Sequence, residues 1–280
     1  MQPIALAQKT AAAAGKLLLQ RFRKLHRVDA TAKSAHELVT AADKASNLLI
    51  QRTLRKAFPA IGFLSEEGGN KPGKLRWVVD PLDGTTNFVL HVPFFGVSIA
   101  LMDGDDVLFG IVACPPTGEQ FVAARNQGAE RNGRPLHMVP ARPLREAIIG
   151  YGYSHSLPSL HASLLMAERL SWHARSVRHA GSTALDLAYT AASRLDAVVI
   201  AGPINLWDVA AGVCIVREAG GVVQNEKGTL WIPKNANLYA GQLTTLQRIQ
   251  VMRKEDKLGG KKTPTFRGSE RVCSSLLFLG

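Results

Sequence analysis

The stretch Trp77-Val-Val-Asp-Pro-Leu-Asp-Gly-Thr-Thr-Asn-Phe88 constrains this chain more than any other part of it. The apolar run Trp77 to Val79 reads as a short buried strand. It ends on Asp80, and Pro81, with no N–H for a ladder, is expected to turn the chain out of the sheet. Asp83, Gly84 and three small polar residues follow. Two carboxylates at the mouth of a strand, beside a glycine turn rich in hydroxyls and backbone N–H groups, suit one task. They can hold hard divalent cations through oxygen and receive a phosphate next to them.

Other acidic residues fall at comparable places. Glu66 and Glu67 follow the short strand read at Ile61 to Leu64, and Asp43 stands at the start of a helical pattern. Asp208 opens an otherwise apolar helix in Leu206-Trp-Asp-Val-Ala-Ala-Gly212. Each alone has a bland reading as a helix cap, a solvated loop or a strand exit. Together, carboxylates at strand ends and helix starts can converge on one sheet edge, where they repel unless cations neutralise them. Two or three Mg²⁺ ions, at octahedral oxygen sites completed by water and phosphate, would do so. The motif contains no His or Cys, which argues against Zn²⁺ and against a cysteine nucleophile.

The whole chain is compatible with a soluble enzyme. Its 280 residues can bury a full core, as one large domain or two closely packed subdomains, and 46% apolar with 20% charged residues is ordinary. Three cysteines, Cys114, Cys214 and Cys273, show neither metal-ligand spacing nor a disulfide framework, which favours a reducing cytoplasm. No apolar stretch approaches the ~20 residues that span a bilayer, so no membrane is expected. The Ala-rich start is interrupted by Lys9, Lys16, Arg21, Arg23 and Lys24 and reads as an amphipathic helix, not a secretory signal. Net charge is +12, of which seven Lys/Arg against three Asp/Glu from Arg253 onward supply +4. Such a balance could attract nucleic acid. The basic residues are dispersed and no nucleic-acid motif accompanies them, so a basic enzyme with an anionic substrate is the favoured reading.

Periodicity places a first helix over 4–25 and a second over 45–58, preceded by a capping-box pattern Thr40-Ala-Ala-Asp43. Strands at 94–102 and 107–113, joined through Gly104-Asp105, form a hairpin, and 119–124 continues an antiparallel meander. Residues 141–150 read as a crossing into a second half. Helices follow at about 158–171, 182–194 and from Trp207, with strands at 196–200 and at Tyr239-Ala240, and a last helix over 243–254. This gives three parts: 1–140 with the metal and phosphate site, 141–250 with a substrate-side loop and the last carboxylate, and a basic, mobile tail over 251–280.

With these motifs in hand, the chain resembles the inositol monophosphatase family of Mg²⁺-dependent, lithium-sensitive phosphatases. The resemblance rests on Asp80-Pro-Leu-Asp-Gly-Thr-Thr-Asn-Phe88, on Trp207-Asp-Val-Ala-Ala-Gly212 with Glu218-Ala-Gly-Gly221, and on Ser65-Glu66-Glu67. Leu38-Val-Thr-Ala-Ala-Asp43 and Gly181-Ser-Thr-Ala-Leu-Asp-Leu187 complete the order. It implies an α/β fold, a layered α-β-α-β-α sandwich of the inositol monophosphatase and sugar phosphatase type, and a homodimer. It implies that Glu66, Asp80, the Leu82 carbonyl, Asp83 and Asp208 bind the metals. Gly84 and Thr85 would donate N–H groups to phosphate, with Thr86, Gly181, Ser182, Thr183 and Asp208 also contacting substrate. Thr85 paired with Asp43 would activate the attacking water, assisted by Glu66.

Small phosphate monoesters are the implied substrates, inositol monophosphate first. Fructose-1,6-bisphosphate, histidinol phosphate and 3′-phosphoadenosine 5′-phosphate are alternatives. A nucleic-acid or protein-binding factor on the same fold is the competitor from another class. One departure stands out. Inositol-directed members carry a glutamate shortly before the last metal ligand, whereas this chain has no acidic residue between Asp196 and Asp208. Ile200 or Ala201 takes its place, unless Asn205 or a neighbour supplies the contact.

Overall fold

The computed structural model describes residues 3–24, 31–32, 38–39, 41–154 and 156–258. Small residues begin the fold. Helix α1 (Pro3–Phe22) buries Ala7, Ala11, Ala14 and Leu18 along one stripe, so its backbone lies close against α2 (Ala41–Ala57) after the short antiparallel pair β1 (Thr31–Ala32) and β2 (Leu38–Val39). Next comes a seven-stranded sheet. It contains β3 (Gly62–Ser65), β4 (Leu75–Asp83), β5 (Gly96–Asp103), β6 (Asp106–Cys114), β7 (Glu119–Ala124), β8 (Gly128–Arg131) and β9 (Arg134–Leu136), in that spatial order. Only β3 and β4 are parallel; from β4 onward the sheet is an antiparallel meander. The turn between β8 and β9 is Asn132-Gly133, both at positive φ, the two-residue hairpin that matches strand twist.

Between β4 and β5 lies α3 (Thr85–Val89). After a single 3-10 turn at Leu144–Glu146, the chain enters a five-stranded sheet. Its elements in sequence are β10 (Ile148–Tyr153), α4 (Leu157–His173), β11 (Ser176–Arg178), α5 (Thr183–Ala191), β12 (Ala197–Ala201), α6 (Leu206–Glu218), β13 (Val222–Gln224), β14 (Leu238–Gly241) and α7 (Leu243–Leu258). The spatial order is β11-β10-β12-β14-β13, with β10 parallel to both neighbours.

The layers follow from the buried faces. Helices α1 and α2 cover one face of the seven-stranded sheet, with Trp77, Phe63, Phe95 and Phe109 in their core. Helices α5 and α6 fill the space between the two sheets, and α4 and α7 cover the outer face of the second. This is the expected α-β-α-β-α sandwich. Glycine sets the spacing in the middle layer. A Cβ at Gly110 would stand 2.5 Å from the Ala211 carbonyl oxygen, and one at Gly212 the same distance from Leu187 Cβ. Each fully buried large aromatic or aliphatic side chain contributes about 1.5–3 kcal/mol.

Most expected elements are present, with several differences. Strand β4 does not stop at Asp80. It pairs again at Asp83↔Gly96 after Asp80↔Ser98, so three residue steps oppose two. Pro81 sits inside this bulge, where no ladder donor is required of it. Residues 141–150 are not a plain crossing, since β10 starts at Ile148. Helix α1 stops at Phe22, α2 begins at Ala41, and α5 ends at Ala191. Of the expected tail, residues up to Leu258 continue α7, while 259–280, including the apolar 276–279, lie outside the described residues, as does Thr40. Cys114 and Cys214 are buried and free, and burial pushes the Cys214 thiol up to about 12. Among the described residues no helix is long and apolar enough to cross a membrane.

Candidate active site

The bulge in β4 creates the centre of the site. Asp80 and Asp83 are buried at 2% and 7% exposure, and the Leu82 side chain between them is wholly covered. Asp80 Oδ1 accepts the Leu82 N–H at 3.0 Å, which closes the bulge on itself. Ser46 of α2 donates to the Pro81 carbonyl at 2.8 Å and holds it from the helix side. Gly84 then turns the chain into α3 at φ 89° and ψ 38°, a left-handed conformation that glycine adopts without strain. Phe88 anchors the short helix against Phe95 and Phe22, with ring centroids 4.9 and 5.4 Å away. Asn87 Nδ2 donates to both Phe94 O and Ala180 O at 2.8 Å, tying α3 to the loop that precedes α5.

That loop brings the second half to the same point. Asp83 accepts from the Ser182 hydroxyl, from Thr183 N at 3.2 Å and from Ala184 N at 2.8 Å. A carboxylate from the first sheet thus caps a helix of the middle layer. Asp43 is buried in the first turn of α2. Glu66 follows β3 and extends its pairing, with its N–H donated to Val79 O at 3.3 Å. Asp208 lies in the first turn of α6.

These five carboxylates line one cavity of about 550 Å³. Asp43, Glu66, Asp80, Leu82, Asp83, Gly84, Thr85, Thr86, Gly181, Ser182, Thr183 and Asp208 are around it, while Glu67, singled out beside Glu66, is not among the lining residues. The expected Asp43–Thr85 pair is not formed. Thr85 Oγ1 donates instead to the Leu82 carbonyl at 3.0 Å, a local bond that the Gly84 turn makes available. Ile200 and Ala201 are packed away at 3% and 9% exposure and do not line the cavity, whereas Asn205 does.

Sequence reasoning passed over several lining residues: Asp186, Asn87, Tyr153, Leu157, Leu160 and His179. Asp186 and Asn87 carried a signal, since both lie inside the quoted motifs, and Asp186 is also an acidic residue in the first turn of the otherwise apolar α5.

The electrostatics are unfavourable in the protein alone. Burial pushes the Asp80 carboxyl well above the usual carboxylate range, and the charges of Glu66, Asp83, Asp208 and Asp43 push it further. Burial raises Asp83 to about 6, against the lowering effect of its bonds from Ser182, Ala184, Thr183 and Leu185. Asp186 is raised by burial and then by Asp83.

Among the described residues, no three His, Cys, Asp or Glu side chains form a ready cation cage. The donor set nevertheless fits Mg²⁺. It consists of carboxylate and carbonyl oxygens only, and Mg²⁺ takes one or two carboxylates while keeping several waters or phosphate oxygens, so a closed cage is not required.

A layered α/β sandwich with carboxylates from sheet ends and helix starts around one cavity defines a class of protein suited to oxygen-ligated cations and phosphate. Comparison with known proteins gives the family. The model of the inositol monophosphatase family matches residues 1–255. The Nus factor SuhB of Pseudomonas aeruginosa is 37% identical over 264 residues, covering 88% of this chain and 97% of that protein. The inositol-1-monophosphatase of Mesorhizobium japonicum is 37% identical over 232 residues, covering 81% of this chain and 87% of its own length. The crystal structure of the extragenic suppressor protein suhB from Bartonella henselae aligns with a TM-score of 0.84 at 33% identity, covering 90% of this chain and 98% of that one. The chain belongs to the inositol monophosphatase family.

Proposed function

We propose that this protein is a Mg²⁺-dependent phosphatase that hydrolyses a small phosphate monoester. The observation that carries this reading is Asp80, buried and raised by the charges of Glu66, Asp83, Asp208 and Asp43. Such a cluster destabilises the empty protein and is relieved by cations, which gives it a use in catalysis and none in folding. Glu66, Asp80, the Leu82 carbonyl, Asp83 and Asp208 would hold two or three ions. Bound Mg²⁺ supplies neutralisation of phosphate charge and acidification of water.

The chain's own groups do the rest. The first N–H groups of α3, from Gly84 and Thr85, lack intrahelical acceptors and take phosphate oxygens. Thr85 Oγ1 donates its hydrogen bond to Leu82 O, which leaves its lone pairs to accept a hydrogen bond from the attacking water and orient it. Asp43 takes the water's proton, with Glu66 assisting. The water oxygen bonds to phosphorus as the ester P–O bond breaks in line. The departing oxygen takes a proton from a solvent water, giving an alcohol and inorganic phosphate, and Asp43 returns its proton to solvent.

Inositol monophosphate leads the candidate substrates, with fructose-1,6-bisphosphate, histidinol phosphate and 3′-phosphoadenosine 5′-phosphate behind it. Phosphate release over a panel of sugar, polyol and nucleotide phosphates, with Mg²⁺ and with chelator, tests the reading. Metal-dependent release supports it, and no release from any member overturns it. For assembly we propose a homodimer, supported by Leu164, Leu165 and Trp172 standing exposed on α4; light scattering tests it.

A second reading rests on another observation. The Pseudomonas aeruginosa relative bears the name Nus factor SuhB, and this chain carries a net charge of +12. A binding factor would use that basic surface on nucleic acid or a protein partner. We rank it second because such a factor has no need of the buried carboxylates. RNA binding that is weak and falls steeply with salt fits the enzyme reading, and tight, sequence-selective binding at physiological salt reverses the ranking.

A further inference from the structure

The cavity wall opposite in character to the carboxylates is aromatic and apolar. Tyr151 and Tyr153 alternate with Gly152 on β10 and so share one face of the strand. The parallel strand β11 ends at Arg178, opposite Gly150, which sets His179 beside Tyr151. His179 Nδ1 donates to Tyr151 O at 3.0 Å. Its ring stacks on Tyr153 at 4.9 Å and 22°, and lies 5.2 Å from Tyr151. His179 remains exposed, and it lines the cavity together with Tyr153, Leu157 and Leu160. Leu157 is 75% exposed there, a large apolar side chain left open at a ligand-sized cavity. The nearby polar group Ser156 Oγ accepts the Ser159 N–H as the cap of α4. On the β12 side, where a carboxylate could read hydroxyls, Ala201 is packed in and its carbonyl accepts from Ser159.

Tyr153, His179, Leu157 and Leu160 give this part of the lining ring faces and methyl groups, with Ser154 and Ser156 as the polar groups nearest in sequence and Asn205 also at the cavity. We propose that the alcohol part of the substrate carries a planar aromatic ring, which lies against Tyr153, His179 and Leu157. The substrate class is then an aryl- or heteroaryl-bearing alkyl phosphate. This inference rests on the phosphatase reading and deepens it, placing the ring-bearing candidates ahead of inositol monophosphate. Ring stacking favours a planar group over a saturated ring of similar size and leaving-group basicity by about three- to tenfold. Against a polyol phosphate, stacking favours it by about ten- to a hundredfold.

The test compares kcat/KM for benzyl and 2-phenylethyl phosphate with that for cyclohexylmethyl and 2-cyclohexylethyl phosphate, and with that for myo-inositol 1-phosphate. The aromatic esters are expected to lead both comparisons. Tyr153→Phe should keep the aromatic-to-cyclohexyl ratio, while Tyr153→Leu and His179→Leu bring it toward one. Equal rates for phenyl and cyclohexyl esters in the wild type, or a preference for the inositol ester, overturn the aromatic subsite and leave the phosphatase reading standing. Hydrolysis of none, together with no release from the sugar, polyol and nucleotide phosphate panel, overturns the phosphatase reading itself. Calorimetric binding of 2-phenylethyl phosphonate against its cyclohexyl analogue then decides the subsite without turnover: tighter binding of the phenyl compound supports it, and equal binding overturns it.

Discussion

Under the proposed function, Asp80 serves chemistry at the expense of the fold. It is buried, and its carboxyl is raised by that burial and by neighbouring acids. Its folded pKa therefore lies above its unfolded value of about 3.9. The unfolded chain releases this proton first, so stability from this group is full below that value and is lost as pH rises through the folded pKa. In chelator, Asp80→Asn should melt higher than the wild type, and the gap should widen as pH rises from 4 toward neutrality. The same substitution should lower kcat/KM by at least about a hundredfold at saturating Mg²⁺, since it removes a charged ligand. A constant or inverted melting gap, or full activity at limiting Mg²⁺, would contradict the account. Thr85 makes the complementary case. Its hydroxyl is assigned to the water and not to ground-state binding, so Thr85→Ala should reduce kcat by about ten- to a hundredfold with KM nearly constant. A raised KM with unchanged kcat would make Thr85 a binding residue.

At the scale of elements, the bulge of β4 and the entry to α3 act as one unit. Gly84→Ala places a Cβ in a left-handed conformation, 3.1 Å from Phe94 O and 3.3 Å from Gly181 O. It should destabilise the protein by about 1–3 kcal/mol in urea titrations and lower activity with it. An unchanged midpoint would mean that the turn is looser than described. This unit was largely legible in the sequence, because Asp80-Pro-Leu-Asp-Gly84 carries its constraints locally. Pro81 misled only on the strand's end, since a bulge tolerates a missing donor as well as a loop does. Strand β10 was not legible: Ile148-Ile-Gly-Tyr-Gly-Tyr153 holds two glycines, and its partner β12 lies far along the chain. The Tyr153–His179 contact was hidden for the same reason, because register between parallel strands creates it and no spacing within either segment announces it. The Thr85 hydroxyl's choice of Leu82 over Asp43 likewise depends on a turn geometry that residue type alone does not specify.

For the whole molecule, the middle layer decides how the parts cohere. Helices α5 and α6 share one core with both sheets, and Arg194, beyond α5, reaches Glu119 of β7 at 2.5 and 2.7 Å. We propose that the parts 1–140 and 141–250 unfold together. Calorimetry should show one transition whose calorimetric and van't Hoff enthalpies agree, and two resolved transitions would count against it. The glycine contacts of that layer carry a further consequence, for ancestry and descent. Where Gly110 meets Ala211 and Gly212 meets Leu187, no methyl group can be added without displacing a neighbour. The helix that carries Asp208 is therefore held in place by contacts that a single added methyl would disturb. Under the proposed function, a change of substrate would fall to Tyr153, Leu157 and His179, lining residues that lie outside that packing.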